Sequence, residues 1–96
     1  MYANLTLFTL GSGKRSTAEK LVAQFTPTLA AREGYETATF LADDTVGQYG
    51  VLVVFDSKEA AQDTWETLSP RLAKALEGIA QGPPNRTLFE VVEPAT

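Results

Sequence analysis

The most constraining feature of this sequence is an unbroken apolar run, Val51-Leu52-Val53-Val54-Phe55. Its residues are mostly β-branched or aromatic, which is typical of a β-strand. Because side chains alternate along a strand, Val51, Val53 and Phe55 share one face, and Leu52 and Val54 share the other. A strand with one face in water would alternate apolar and polar residues. We therefore expect both faces of this strand to be covered.

The residues around this run predict a β-hairpin that leads into a helix. Residues 35–42 form the preceding strand, and an Asp-Asp pair with Gly47 supplies residues that favour a turn. After the run, Asp56 or Ser57 can accept hydrogen bonds from the free N–H groups at the start of a helix. The stretch therefore predicts strand, turn, strand and helix start.

Two stretches have the apolar spacing of amphipathic helices. The first begins at Ser16, where Ser-Thr-Ala-Glu matches the capping-box pattern, and its end is predicted at Gly34. The second follows the hairpin and carries an apolar stripe that reaches Ile79. Pro70 interrupts the backbone of that stripe, so we expect either two helical pieces or one helix kinked there.

The remaining strands complete a familiar order of elements. Residues 2–10 and 85–92 are predicted strands, and residues 94–96 form a short tail. The order β-α-β-β-α-β within one domain, residues 1–96, predicts the α+β class, with a ferredoxin-like antiparallel sheet and both helices on one face. The first and third strands are central in that topology, and they are the two that are apolar on both faces.

The face of the sheet without helices needs a cover. The simplest cover is the same face of a second copy, related by a two-fold axis. We therefore expect a homodimer that packs through its sheet faces.

Composition excludes several kinds of chemistry. The chain has no cysteine and no histidine, which excludes disulfides, a thiol nucleophile, a Ser-His-Asp triad and histidine-ligated metal or haem. Carboxylate-only Mg²⁺ or Ca²⁺ sites stay open, but no EF-hand spacing is present, and we expect neither a metal nor a cofactor. The 8 basic and 12 acidic residues give a net charge of −4 without a basic cluster, so nucleic acid and membrane are not expected partners. Without a membrane-length apolar run or a signal peptide, the expected location is cytoplasmic.

The sequence resembles the antibiotic biosynthesis monooxygenase-like superfamily of small dimeric α/β-barrel proteins. The matching features are the loop and capped helix of residues 10–18, the strand pair of residues 38–41 and 50–55, and the junction of residues 56–61. The resemblance covers nearly the whole chain and implies a dimeric α/β barrel with a cleft between sheet and helices in each subunit.

The resemblance also implies a type of chemistry. In catalytic members of the superfamily, the cleft binds a polycyclic phenol or quinol and lets oxygen react with it without metal or flavin. Many relatives have no known activity. The haem-degrading branch depends on a histidine iron ligand, which this chain lacks.

Polar residues on the strands and on the second helical stretch are candidate site residues. Under the enzyme hypothesis, Tyr49 and Asn4 are the hydrogen-bonding groups, and Arg71 or Arg86 stabilises developing oxyanion charge. Arg71 draws attention because it falls at the predicted start of a helical piece, where a cation opposes the helix dipole. Thr6 shares the face of Asn4. The structural alternatives are a Tyr49 hydroxyl in water, backbone or cross-subunit partners for the strand residues, and arginines that reach solvent.

Three aromatic residues are candidate walls of the cleft. Trp65, the only tryptophan, either anchors the core or stacks on a planar ligand. Phe40 and Tyr35 either line the cleft or pack in the dimer interface.

The sequence and the resemblance together leave two hypotheses for the function. The first is a cofactor-independent monooxygenase that acts on an aromatic hydroxyl or quinol-type compound. The second is a non-catalytic dimer that binds a small molecule or another protein.

Overall fold

The computed structural model describes residues 1–92, which form an antiparallel sheet of four strands with two helices. The elements are β1 (Tyr2–Thr9), α1 (Arg15–Ala30), β2 (Tyr35–Asp43), β3 (Gln48–Phe55), α2 (Lys58–Leu76) and β4 (Asn85–Glu90). The strand order β2-β3-β1-β4 places β1 and β3 at the centre. The predicted ferredoxin-like α+β fold is confirmed. The predicted tail, residues 94–96, lies outside the described residues.

One side of the sheet faces the helices and forms the core. It carries alternate residues of the central strands: Tyr2, Asn4, Thr6 and Phe8 from β1, and Tyr49, Val51, Val53 and Phe55 from β3. The predicted division of the β3 side chains between two faces is therefore correct. Burial of this face against both helices is the main apolar contribution to stability.

The other side of the sheet is apolar but is not covered by either helix. Its central residues are half-buried: Leu5 and Leu7 from β1, and Leu52 and Val54 from β3. Phe89 of β4, in register with Ala3, is 50 % exposed. This is the face for which the sequence predicts a second copy as the cover.

The start of α1 differs from the prediction. The helix begins at Arg15, its N-cap is Lys14, and no side chain caps it. Arg15 instead binds Glu19 one turn later at 3.1 Å and Asp44 of the hairpin turn at 2.8 Å. The predicted capping box at Ser16 is wrong, because Ser16 already lies inside the helix. The helix ends at Ala30, before Gly34, which has a φ of +84° in the turn that leads to β2.

The second helix, α2, is a single continuous element. Ser57 is its N-cap, and the Ser57 hydroxyl accepts a hydrogen bond from the N–H of Ala60 at 3.1 Å. The helix runs through Pro70 without a break, so of the two predicted alternatives a single helix is correct and two helical pieces are not. Buried residues before and after Pro70 explain this, because burial of one continuous stripe outweighs the lost backbone hydrogen bond.

The C-terminal ends of α2 and β4 also differ from the sequence-based prediction. The apolar stripe of α2 ends at Leu76, and Ile79 lies beyond the helix with 43 % of its surface exposed. The predicted strand of residues 85–92 ends at Glu90.

No helix within residues 1–92 is long and apolar enough to cross a bilayer.

Candidate functional site

A cavity of about 70 Å³ lies between the sheet and the two helices. Side chains of β1 and β3 form its floor, and side chains of α1 and α2 form its walls. Most of the lining is aliphatic or aromatic, including Phe25 and Leu29 of α1 and Trp65 and Leu68 of α2. Its polar lining residues are Asn4, Thr6 and Thr64. An apolar cavity with a few polar groups is the usual form of a small-molecule site.

Asn4 is the polar centre of the cavity floor. It is 5 % exposed, and its Nδ2 donates to the backbone carbonyl of Ala61 in α2 at 2.8 Å. Its Oδ1 accepts a hydrogen bond from Nε of Arg86 at 2.9 Å. The amide therefore ties the central strand to α2 and to β4. The sequence-based alternative of a backbone partner for Asn4 is correct, and an arginine is its second partner.

Arg86 lies behind the cavity and contacts two of the residues that line it. Besides its bond to Asn4, its guanidinium lies over the ring of Trp65, 5.7 Å from the centroid. Burial lowers the pKa of Arg86, and the charge of Glu66 partly offsets this. An arginine nevertheless stays charged at neutral pH. Its Nη2 is buried and has no hydrogen-bond partner within residues 1–92. Arg86 is not itself among the residues that line the cavity, and an oxygen atom that reached Nη2 would supply the missing acceptor.

Thr64 is a cavity residue that the sequence analysis missed. It is 3 % exposed, and its hydroxyl accepts a hydrogen bond from Nε of Arg32 at 3.2 Å. Its signal in the sequence is its spacing, since Thr64 lies three residues after Ala61 and four before Leu68 and so falls on the apolar stripe of α2.

Tyr49 lies outside the cavity, although it shares a sheet face with cavity residues. Its ring is 1 % exposed and stacks on Phe40, with 6.4 Å between centroids. Its hydroxyl donates to Oδ1 of Asp44 at 3.2 Å, which corrects the alternative of a hydroxyl in water. Burial raises the pKa of Tyr49, and the hydrogen bond and charge of Asp44 raise it further. Tyr49 and Phe40 belong to the core cluster around Phe8.

Arg71 and Tyr35 also lie away from the cavity floor. Arg71 is exposed in the interior of α2, so the predicted conflict with a helix dipole is wrong. Its guanidinium lies 5.8 Å from the ring centroid of Phe25. Tyr35 packs against the core cluster around Phe55.

The structure thus brings Asn4, Thr6 and Trp65 together at the cavity with Arg86 behind them. The roles assigned to these residues stay predictions.

Comparisons with known proteins agree with this architecture. No family model matches the sequence, and no curated protein sequence matches it. Solved structures do match over nearly the whole chain. One is a protein from Deinococcus radiodurans provisionally named an antibiotic biosynthesis monooxygenase, with a TM-score of 0.80, 12% identity, and coverage of 100% of this chain and 97% of that one.

Two further structures are equally informative. SnoaB, a cofactor-independent oxygenase from Streptomyces nogalater, has a TM-score of 0.75 and 19% identity, and 97% of this chain matches 94% of that chain. The NE2512 protein of unknown function from Nitrosomonas europaea has a TM-score of 0.80 and 17% identity, over 99% of this chain and 92% of that one. At these identities the match concerns the fold alone. The chain therefore shares the fold of these solved structures, as the sequence resemblance predicts.

Proposed function

We propose that this chain forms a homodimer and binds an aromatic hydroxyl compound in the cavity, where the compound reacts with oxygen without a metal or a flavin. The observation that carries this proposal is the buried Nη2 of Arg86, a cationic donor without a partner among the described residues, on a side chain that contacts the cavity residues Asn4 and Trp65. Unsatisfied buried donors are rare, because leaving one without a partner costs about 1–3 kcal/mol. A ligand oxygen would satisfy this one.

The surrounding residues suit a planar ring. Trp65 offers an aromatic surface on α2, while Phe25 and Leu29 supply apolar contacts from α1. Asn4 and Arg86 would then hold the hydroxyl oxygen at one side of the ring. The resulting site combines apolar walls with one charged hydrogen-bonding group, the arrangement that fixes the orientation of a small aromatic ligand.

The chemistry follows from the charge of Arg86. A nearby cation favours the phenolate over the phenol and lowers the pKa of the bound hydroxyl. An electron-rich phenolate can itself supply electrons to O₂, and apolar walls keep water away from the reacting pair. Of the residues within 1–92 that line the cavity, none is a carboxylate or a histidine. In this proposal, the ligand therefore loses its proton to solvent before it enters the cavity, and Arg86 stabilises the bound phenolate so that no general base is needed there.

The exposed apolar face of the sheet supports the homodimer. Leu5, Leu52 and Val54 lie on the two central strands of that face, and Phe89 extends the apolar surface onto β4. A contiguous apolar surface of this kind is typical of an interaction site. Two copies of the same face would cover each other around a two-fold axis.

The alternative is a non-catalytic binding or assembly module of the same fold. Two observations favour it. The cavity of about 70 Å³ is small beside the usual ligand pocket of roughly 300–1,000 Å³. In addition, the hydroxyl of Tyr49, a candidate hydrogen-bonding group, is bonded to Asp44 away from the cavity.

Fluorescence of Trp65 tests the proposal, because this residue is the only tryptophan. We expect saturable quenching by phenols or quinols, measured with correction for inner-filter absorption, and oxygen uptake with the compounds that bind. Arg86→Met should weaken binding by about tenfold or more, the size of a hydrogen bond to a charged group, and should abolish oxygen uptake.

Arg71→Met is the matched control, since Arg71 also lies over the ring of a cavity residue, Phe25, but makes no hydrogen bond to a cavity residue within residues 1–92. It should leave affinity and oxygen uptake unchanged. Saturable quenching without oxygen uptake across a broad panel of quinols would favour the non-catalytic alternative. Absence of quenching by every phenol, quinone and flavin would contradict ligand binding at Trp65.

A further inference from the structure

We infer that Thr64, oriented by Arg32, is a second ligand-binding residue that selects single-ring arenes carrying a second oxygen substituent. The inference rests on the proposed function and narrows its ligand class. It depends on three features of the described residues: the hydrogen bonding of the Thr64 hydroxyl, the position of Arg32 outside the cavity and the size of the cavity.

The hydroxyl of Thr64 has a proton to donate. A threonine hydroxyl has one donor and two acceptor positions. Within residues 1–92, the bond that Thr64 makes is one it accepts, from Nε of Arg32 at 3.2 Å. Thr26 of α1 shows the usual arrangement in a helix, because its hydroxyl donates to the carbonyl of Val22 at 3.0 Å. Thr64 is 3 % exposed and lines the cavity, so a ligand oxygen there would be an acceptor for its proton.

Arg32 holds Thr64 from outside the cavity. It follows the end of α1 and lines a separate, solvent-facing depression together with Asp56, Glu59 and Asp63. Its Nε occupies an acceptor position of the Thr64 hydroxyl, which directs the proton away from the guanidinium. The carboxylates in that depression give the arginine a favourable place for its charge. Arg32 is thus a positioning residue, and Thr64 is the residue that would contact ligand.

Besides Thr6, the cavity therefore has two polar positions supplied by different elements. Asn4 of β1 and Arg86 of β4 form one, and Thr64 of α2 with Arg32 forms the other. A ligand with a single hydroxyl group satisfies one position and leaves the other without a partner. A ring with two oxygen substituents can satisfy both.

Cavity size limits the ligand to a single ring. A cavity of about 150 Å³ is known to hold benzene, and the cavity here measures about 70 Å³. One ring already requires side chains at the cavity to move, and a polycyclic system would require a larger displacement of the lining residues. The polycyclic ligands implied by the family resemblance therefore do not suit this cavity.

The test compares pairs of ligands that differ in one oxygen. Affinities for the three dihydroxybenzene isomers and the three matching cresols are measured by quenching of Trp65. We expect at least one dihydroxybenzene to bind about fivefold more tightly than its cresol, the size of one neutral hydrogen bond. Thr64→Val should remove this preference while affinity for the cresol is retained, and Thr64→Ser should keep the preference.

Two further variants separate a specific role from a structural one. Thr26→Val makes the same change in α1 outside the cavity and should keep the full preference. Arg32→Met should lose about half of it or more, because the hydroxyl of Thr64 is then free to rotate. Arg32→Met also provides the test if Thr64→Val fails to fold.

The outcomes distinguish this inference from the proposed function. A preference that survives in both Thr64→Val and Arg32→Met overturns the inference and leaves the proposed function intact. Tighter binding of a polycyclic phenol than of every single-ring compound also overturns it. Absence of binding by all phenols overturns the proposed function and the inference together.

Discussion

Asn4 illustrates how much a single side chain in this chain depends on residues far from it in sequence. Its position in an apolar central strand marks it as a buried polar group that needs partners. The partners are the carbonyl of Ala61 and the guanidinium of Arg86, which is 82 residues away. Because both sides of the amide are engaged, Asn4 presents a fixed orientation to the cavity. A ligand would therefore meet a preorganised group.

Tyr49 illustrates the opposite case, in which a promising residue has a structural explanation. It shares a face with Val51 and Val53, and yet its hydroxyl reaches Asp44 in the hairpin turn. Asp44 also binds Arg15 at the start of α1. Tyr49 thus belongs to a polar contact between the hairpin turn and α1.

Tyr49→Phe gives a prediction for alkaline stability. Burial and Asp44 raise the pKa of Tyr49 in the folded state. Above about pH 10 the unfolded chain releases the phenolic proton while the folded state keeps it. The stability contributed by this shift is fully present below that pH and is lost as pH rises through the folded-state pKa.

We therefore expect urea unfolding of the wild type at increasing alkaline pH to show a falling free energy of unfolding, and the fall should be smaller in Tyr49→Phe. Equal slopes in the two proteins would contradict this assignment. Tyr49→Phe should also leave quenching of Trp65 by phenols unchanged, because Tyr49 does not line the cavity.

At the scale of elements, the two helices begin by different physical means. α2 begins with a side-chain cap, since the Ser57 hydroxyl accepts the N–H of Ala60. α1 begins with ion pairs of Arg15 and has no side-chain cap. The capping-box pattern at Ser16 is therefore present in the sequence without being used in the structure. Whether such a motif caps a helix depends on the residue at which the helix begins.

A pair of alanine substitutions tests this difference. Ser57→Ala should lower the free energy of unfolding by about 1 kcal/mol, the usual cost of losing an N-cap. Ser16→Ala should change it by less than about 0.5 kcal/mol, because Ser16 lies on the exposed surface inside α1. Urea denaturation of both variants measures the effect. An equal loss in the two variants would mean that Ser16 caps α1 after all.

At the scale of the whole molecule, the uneven cover of the sheet is the dominant feature. One face is buried by α1 and α2, and the other face is apolar and open. Leu52 lies near the middle of the open face, opposite Leu5 of β1 and Thr39 of β2. A homodimer through this face would give the chain a second buried layer.

The oligomeric state provides the corresponding prediction. Light scattering at micromolar concentration should give the wild type twice the mass of one chain. Leu52→Lys should shift the protein to the monomer mass with its circular dichroism retained, because a charge at the centre of an apolar interface is costly to bury. Val46→Lys is the control, since Val46 is an exposed apolar residue in the hairpin turn. A monomeric wild type would contradict the homodimer.

The sequence by itself determined those features that depend on local patterns. The alternation of apolar residues placed Val51, Val53 and Phe55 on one face, and two strands apolar on both faces indicated the central pair. The element order then specified the topology, because few compact arrangements satisfy it. The polar cap at Ser57 is also a local signal, since donor and acceptor lie three residues apart.

Only the tertiary structure decided which polar groups meet. Thr64 meets Arg32 across 32 positions and Asn4 meets Arg86 across 82, and no local periodicity encodes such pairs. Burial of side chains likewise keeps α2 helical through Pro70, although proline disfavours the interior of a helix. The reason is physical: secondary structure follows from interactions within a few residues, whereas cavities and buried hydrogen bonds arise where distant elements pack. The fold was therefore predictable from the sequence pattern, whereas the pairing of Asn4 with Arg86 and of Thr64 with Arg32 was not.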